Sequence, residues 1–537
     1  MFLIMLSLML IAGTCGTGCS RKEETGAGYL FTCTLAGNPE CLDPQYTDNE
    51  NAEIVICNIM EGLLRLDETG TVIPAGAESY TVSEDGLVYT FRLRDNCYWY
   101  SVGTEAKDAK PVTSLDYVFA FRRLLAPETH APHAEDFLCI ENAPEIRSGK
   151  LKPEKLSVSA PDGATVIFRL TSPEPDFPML LTQSCAVPCN EDFFLSTQGR
   201  YGLSDSTILC NGAFCLTKWA YDAYGSGNFL SFRKNMTYHD ADAVFPGSLQ
   251  FNIMRSQQEA NQDFAAGNSD MILTDRLPEQ GLNNTVIKEN YTRTWGLIFN
   301  PDDDTLKNIT FRKALSGGID RQALQNFIND NLTPAYGVIP PAIQFLGRSY
   351  RELYADEPLS PYDPVQSAIL FDEVLPEIPA SVITSMKILV PAEFTDTQAL
   401  LSICQEWQNL SGHYIGIESV SVSEYRQRLE KGDYTIALYC AAPSQDSCYA
   451  ALQMFQEDVF AFHSTEFEAI LKNLSDAGTL ADKIPLCGEA EKMIIENGIF
   501  LPLFYQCSYL IYTDTNTDII CHPFRNVIDF RSAKHFS

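Results

Sequence analysis

Residues 61–125 contain the pattern of a half-buried strand and, shortly after it, the pattern of a capped helix. No other stretch of the sequence constrains the fold as much. Tyr89, Phe91 and Leu93 alternate with polar side chains, which is the period of a strand with one buried face. Thr113 stands two residues before LDYVFAFRRLL, where apolar residues recur at helical spacing, so Thr113 is the predicted N-cap. A strand followed by a helix favours a mixed α/β architecture.

The length and net charge of the chain limit the number of domains and the kinds of partner that we expect. The chain has 537 residues, of which 45% are apolar, and a length of this order predicts about two to four domains with full cores. The net charge is −32. We expect no nucleic acid partner, because phosphate binding needs clustered basic side chains. The acidity indicates either a soluble, self-repelling surface or a cleft that attracts cationic ligands.

The N-terminus predicts export. Residues 2–12 form an apolar run that is too short to span a bilayer and is typical of a secretion signal. The small residues before Cys19 and the polar residues after it resemble the lipobox of bacterial lipoproteins, which implies cleavage before Cys19 and a diacylglycerol on its sulfur. We therefore predict a signal peptide at 1–18 and a lipidated tether at 19–28, with a plain secretion signal as the alternative. No later run is long and apolar enough to span a membrane.

Motifs for catalysis and metal binding are missing from the sequence. No HExxH, GxSxG or GxxxxGK[ST] motif occurs. His130 and His133 flank a proline, and residues 302–304 are three consecutive aspartates without the spacing of a calcium loop, so we expect surface turns at both places. The cysteines after Cys19 include no CxxC pair, and their disulfide pairing cannot be deduced from spacing. We predict no enzyme activity, no cofactor and no metal site.

A set of short motifs follows in a fixed order along the chain. It includes LDP at 42–44, NGAFCLTKW at 211–219, RTWGLIFN at 293–300 and GVIPP at 337–341. None is specific alone, but the ordered set resembles the bacterial extracellular solute-binding proteins of family 5. Those are the oligopeptide- and dipeptide-binding receptors of ATP-binding-cassette importers.

The resemblance implies an α/β, two-lobe periplasmic-binding-protein-like fold of type II, in its large three-domain variant, with a hinged ligand cleft. It divides the chain into the main domain of lobe I (29–60, 165–282 and 505–537), an extra subdomain of lobe I (61–164) and lobe II (283–504). Locally, we expect a strand over 29–35, a helix over 51–64, a helix over 258–267 that ends at glycine, and a strand over 293–300.

The resemblance also implies where a ligand would lie. The loop after the first strand enters the cleft in the family, Trp295 stands where relatives carry a cleft aromatic residue, and Asn211 and Gly212 border the cleft. The structural alternatives are an ordinary strand-to-helix connection, a core tryptophan and turn chemistry, respectively. The loop residues predicted to bind ligand are Asn38, Pro39, Glu40, Cys41 and Leu42.

The stretch 439–449, YCAAPSQDSCY, departs from the family pattern. Oligopeptide receptors resemble WCADYxxP here, and their Asp holds the peptide's α-amino group. When the two patterns are aligned, Tyr439 takes the position of the Trp, Cys440 that of the Cys and Ala442 that of the Asp. The charge partner of the ammonium is therefore missing unless Asp446 supplies it. The ligand is then a different class of peptide, a modified peptide or another small solute.

We predict an extracytoplasmic, lipid-anchored and monomeric solute-binding protein that captures peptides in an inter-lobe cleft. It would deliver them to the permease subunits of an ATP-binding-cassette importer. The alternatives are a receptor for a non-peptide solute, such as a metal complex or a small saccharide, and a ligand sensor without transport.

Overall fold

A computed structural model describes residues 23–24, 29–101, 108–354, 361–443, 445–460, 462–525 and 527–536. The predicted signal peptide and the predicted lipidation site at Cys19 lie outside the described residues. Within the predicted tether, Glu23–Glu24 forms a short strand that pairs with the strand Lys534–Phe536 near the C-terminus. No helix in the described ranges has the length and apolar content needed to cross a bilayer.

One long sheet runs through both halves of the molecule. Its strands in chain order are β1 (Leu30–Leu35), β2 (Phe214–Ala220), β3 (Asn228–Lys234), β4 (Ser248–Ile253), β5 (Met271–Thr274), β6 (Thr285–Phe299), β7 (Leu332–Pro334), β8 (Lys387–Pro391), β9 (Gly416–Val420), β10 (Ile436–Ala441) and β11 (Phe500–Thr513). In space the order is β2-β3-β4-β1-β5-β11-β6-β10-β8-β9, and β7 pairs with β11. The predicted strand over 29–35 is confirmed as β1.

Two long antiparallel strands, β6 with 15 residues and β11 with 14, connect the halves. We call them the crossing strands. They join a first lobe, which carries β1 to β5, to a second lobe, which carries β8 to β10. Their pairing is interrupted by register shifts after Tyr291 and after Trp295. β6 begins well before the predicted residue 293, because its polar first half pairs with β11.

The helix after β1 spans Glu50–Ile59, and the side chain of its N-cap Asn49 accepts the N–H groups of Asn51 and Ala52. It is shorter than the predicted helix over 51–64. The chain turns extended at Met60 because the side chain of Asn211 accepts the Glu61 N–H at 3.1 Å and donates to the Glu61 carbonyl at 2.8 Å. The helix Gln257–Ala265 agrees with the predicted 258–267, and Gly267 follows with a left-handed φ of 76°.

A separate four-stranded sheet belongs to the first lobe, in the order Ala77–Val82, Val88–Leu93, Thr165–Arg169 and Val158–Asp162. The predicted strand is confirmed, with its three apolar side chains buried. The helix Ser114–Leu125 covers this sheet and starts at a capping box between Thr113 and Asp116, as predicted. Thr165–Arg169 pairs with Val88–Leu93, so this sheet also contains residues after position 164.

The second lobe surrounds the parallel strands β8, β9 and β10 with helices. Its helices are Ile309–Gly317, Arg321–Leu324, Tyr350–Leu353, Pro364–Val374, Ala380–Ser385, Thr397–Ser411, Val422–Glu430, Cys448–Gln453, Thr465–Asp476 and Leu480–Glu496. The remaining helices of the first lobe are Ala143–Arg147, Phe177–Leu180 and Glu191–Ser196. Short strands complete the described chain at Leu64–Leu66, Val72–Pro74, Tyr98–Trp99, Lys110–Pro111, Gln344–Phe345, Arg348–Ser349, Asn516–Thr517, Ile520–His522 and Val527–Asp529.

Candidate functional site

A cavity of about 900 Å³, which we call the large cavity, opens in the second lobe beside β10. Trp295, Tyr439 and Cys440, three of the predicted ligand-binding residues, line it together. Trp295 and Cys440 are register partners across β6 and β10, which explains their proximity. The indole N–H of Trp295 donates to Gln506 on the other crossing strand at 2.8 Å. Burial raises the pKa of the Cys440 thiol to about 11, so this wall of the cavity is uncharged at neutral pH.

One edge of β10 is open beside this cavity. β8 pairs with β10 only at Ile436 and Ala437, and the carbonyl of Leu438 accepts the Tyr425 hydroxyl at 2.7 Å. From Tyr439 to Ala441, no strand of the described chain pairs with the edge that faces β8. An unpaired edge presents backbone N–H and C=O groups to which another extended chain can add as a strand.

A smaller cavity of about 240 Å³, the interlobe cavity, is lined by both lobes. The second lobe contributes Ala442 and Pro443, and the first lobe contributes Asp48, Glu50 and Glu53. Ala442 therefore lies at a boundary between the lobes, and its contact with a ligand stays a prediction. The acidic side chains at this boundary belong to the first lobe. The sequence alone predicts only Asp446, in the second lobe, as a possible acidic partner for the ligand.

Arg293 lies where the interlobe cavity meets a cavity of about 270 Å³ at the ends of β1 and β5. Its guanidinium is 2.7 Å from the carboxylate of Glu50, so this ion pair links a crossing strand to the helix Glu50–Ile59. Burial alone would lower the pKa of Arg293, but Glu50 and then Cys440 more than offset it and raise the pKa. Because the Cys440 thiol is neutral at pH 7, the charge partner of Arg293 there is Glu50.

The predicted loop 38–42 packs against the first lobe. The Asn38 side chain accepts the indole N–H of Trp219 at 3.1 Å, and the Leu42 N–H donates to the Gly202 carbonyl at 2.8 Å. Pro39 and Leu42 are buried, Cys41 is half-buried, and Glu40 is exposed with a left-handed φ of 62°. None of these five residues lines the three cavities described above. Their contact with a ligand stays a prediction.

Asn211 and Gly212 lie under the end of the helix Glu50–Ile59. Both backbone N–H groups donate to the Ile59 carbonyl, and a Cβ on Gly212 would lie 2.8 Å from the backbone of Ile59 and Met60. The two backbone segments approach so closely that a side chain at position 212 would collide, which explains the glycine of the NGAFCLTKW motif. Neither residue lines the three cavities, so a ligand contact stays a prediction here as well.

Asp446 lies at a different contact between the lobes. Its carboxylate accepts the N–H of Gln344 at 2.8 Å, and its neighbour Ser447 donates to Asp176 of the first lobe at 3.0 Å. Desolvation raises the pKa of the Asp446 carboxyl to about 6. Asp446 does not line the interlobe cavity beside Ala442. The structure therefore brings Trp295, Tyr439 and Cys440 together and holds Asp446 apart from them.

Sequence reasoning missed Glu50, Glu53 and Arg293. The signals were faint: one glutamate just before a predicted helix, another in its first turn, and an arginine at the start of a predicted strand. Acidic residues in a first helical turn are common because they complement the helix dipole, so the pattern alone carries no functional information.

The described residues contain no group of three or more His, Cys, Asp and Glu side chains arranged to hold a metal ion. Within the same part of the chain, the cysteines from Cys33 to Cys521 are all free thiols.

Comparisons with known proteins agree with the architecture. The family model described as "Bacterial extracellular solute-binding proteins, family 5 Middle" matches residues 71–459. The dipeptide-binding protein DppE of Bacillus subtilis is 23% identical over 517 residues, covering 94% of this chain and 92% of DppE. The probable deoxycholate-binding periplasmic protein YgiS of Escherichia coli is 23% identical over 493 residues, covering 89% and 88%. The solved pheromone receptor PrgZ superposes with a TM-score of 0.73 at 24% identity, over 95% of this chain and 99% of PrgZ.

Proposed function

Because the chain belongs to the bacterial extracellular solute-binding proteins of family 5, we propose that it captures peptides in its inter-lobe cleft and delivers them to the permease of an ATP-binding-cassette importer. One observation carries the peptide assignment: the open edge of β10 at Tyr439 and Cys440 borders the large cavity. A peptide of any sequence can pair its backbone with such an edge, while a roomy cavity accepts varied side chains.

The proposal includes the chain's location and chemistry. We place it outside the cytoplasm, anchored through a lipid on Cys19, and acting as a monomer that binds and releases its solute without bond chemistry. The segment bounds 29–60, 61–164, 165–282, 283–504 and 505–537 stay predictions. The relatives support a peptide ligand, since DppE is named for dipeptides and PrgZ was solved for its mode of peptide binding. YgiS, named for deoxycholate, supports a second candidate, a non-peptide amphipathic solute.

Strand addition can be tested by methylating ligand amides one at a time. We expect a peptide identified from a random tetrapeptide pool to lose about three- to tenfold in affinity wherever a methylated amide had paired with β10. Because successive strand residues point their amides to opposite edges, sensitive and tolerant positions should alternate. Isothermal titration calorimetry measures the affinities. Uniform tolerance of methylation would contradict strand addition, and stabilisation by deoxycholate but by no peptide would favour the second candidate.

A further inference from the structure

The two lobes touch at a cavity of about 190 Å³, which we call the contact cavity. Glu174 and Asp176 line it from the first lobe, and Asp446, Ser447 and Lys483 line it from the second. The Ser447 hydroxyl donates to the Asp176 carboxylate at 3.0 Å, which is a direct hydrogen bond across the lobes. The contact is therefore a place where opening of the lobes breaks a specific interaction.

Like charges face one another in this cavity. Three carboxyl groups share it with Lys483, the one cationic side chain among the described lining residues. The other titratable lining groups are Tyr449 and Cys448, and burial raises the pKa of both side chains, so they carry no charge to offset the carboxylates. Closing the lobes thus gathers an excess of negative charge.

The carboxyl groups respond to this environment. Desolvation raises the pKa of Glu174. The backbone N–H of Asp176, which donates to the Glu174 carboxylate at 3.3 Å, acts against this rise, and the charge of the Asp176 side chain adds to it. Desolvation also raises the pKa of Asp176, although Ser447 and Lys483 act against it. The pKa of Asp446 rises to about 6 by desolvation, despite the hydrogen bond from Gln344. Separating the lobes lets water reach the face of the cavity, which moves these pKa values back toward their ordinary range.

We propose that closure of the lobes is linked to proton binding at Glu174, Asp176 and Asp446, so that the closed form is favoured as these carboxyl groups become protonated. The sign follows from linkage: a carboxyl with a higher pKa in the closed form binds protons better there. The cost of closure is present at neutral pH and diminishes as the pH falls. For Asp446, whose side chain stays partly exposed, the loss of charge is centred near pH 6. The inference deepens the proposed function and rests on it, since closure is the step that retains the solute.

Closure without ligand is measured by small-angle X-ray scattering of the ligand-free chain at pH 7.5 and pH 5.5. We expect a smaller radius of gyration at pH 5.5 in the wild type. The D176N/D446N double variant removes two of the three charges and should already be compact at pH 7.5. The matched control is D372N, which removes an exposed carboxylate from the helix Pro364–Val374. An unchanged radius in the wild type at the two pH values would overturn the inference, even if the double variant fails to fold.

Binding gives a second readout. With a random tetrapeptide pool, we expect wild-type affinity to rise about threefold from pH 7.5 to pH 5.5. The double variant should lose that rise, whereas D372N keeps it; titration of the peptides themselves cancels in this comparison. Equal pH ratios in the wild type and the double variant would overturn proton-linked closure while leaving peptide capture intact. Absence of binding at both pH values would refute peptide capture, and the scattering measurement would still decide the closure.

Discussion

At the scale of single residues, Ala442 shows how one substitution redirects recognition. It is exposed on the wall of the interlobe cavity, where the family resemblance implies an Asp that holds the peptide's α-amino group. A charged hydrogen bond contributes about 1.5–3 kcal/mol. We expect A442D to strengthen binding of free-amine tetrapeptides about tenfold relative to N-acetylated ones. Calorimetry on both peptide forms measures the ratio. A442N, which adds the same shape without charge, should leave the ratio unchanged; an equal gain in A442N would contradict the charge argument.

Glu491 gives a structural reason for the GVIPP motif at 337–341, which the sequence alone did not explain. Its side chain is fully buried, accepts the N–H groups of Val338 at 2.6 Å and Ile339 at 2.9 Å, and forms an ion pair with Arg351. It therefore fixes the GVIPP loop to the helix Leu480–Glu496. We expect E491Q to lower the free energy of unfolding by about 3 kcal/mol, because Arg351 loses its buried partner. Urea unfolding provides the measurement.

The control for that variant lies on the same helix. Glu489 is exposed, and E489Q should change the free energy of unfolding by less than about 0.5 kcal/mol. Comparable losses in the two variants would show that helix charge, and not the buried network, is responsible.

At the scale of elements, the crossing strands depend on one glycine. Gly296 follows a register shift in β6, and a Cβ there would lie 2.5 Å from the carbonyl oxygen of Leu501 and closer still to the ring of Phe500. We expect G296A to lower the free energy of unfolding by about 1–3 kcal/mol through overpacking. G416A is the matched strand control, because its Cβ would meet Tyr414 at an ordinary 3.5 Å. If chemical denaturation finds the two variants equally stable, the close approach at Gly296 does not determine the stability of the crossing strands.

Local patterns predicted those elements whose signals are local. Period-two alternation located the strand Val88–Leu93, and Thr113 located a helix start. The helix Glu50–Ile59 was predicted too long because its end is set by Asn211, about 150 positions later in the chain. Apolar spacing continued past Ile59, and nothing nearby in the sequence signalled the stop.

At the scale of the whole molecule, the ordered motifs predicted two lobes but not how they are joined. Trp295 pairs with Phe504 across the crossing strands, and a pairing so distant in sequence leaves no local pattern. The candidate site was only partly predictable for the same reason. Tyr439 and Cys440 were identified from one register and Trp295 from its own motif. Glu50, Glu53 and Arg293, in contrast, line one cavity with Ala442 only because the lobes face each other.

The C-terminal segment around Asp529 and Arg531, which returns to the first lobe, leads to a prediction about stability at acid pH. Asp529 and Glu61 are buried with Arg531 between them, and His239 contacts Glu61 at 2.5 Å. Burial would raise the pKa of both carboxyls, but Arg531 and, for Glu61, His239 lower them overall. The unfolded chain therefore binds protons more readily, so the stabilisation is present at neutral pH and is lost as the pH falls below about 4.

We expect D529N to lower the free energy of unfolding at pH 7 by about 3 kcal/mol, because Arg531 keeps its buried charge but loses a partner. The same variant should lose less stability than the wild type between pH 6 and pH 3, since the titrating group is gone. Urea midpoints across this range measure both effects, with D372N as the exposed control. A steeper acid loss in D529N than in the wild type would contradict the sign. Equal losses would mean that the C-terminal return is held by packing around Ile528 and Phe530 instead of by charge.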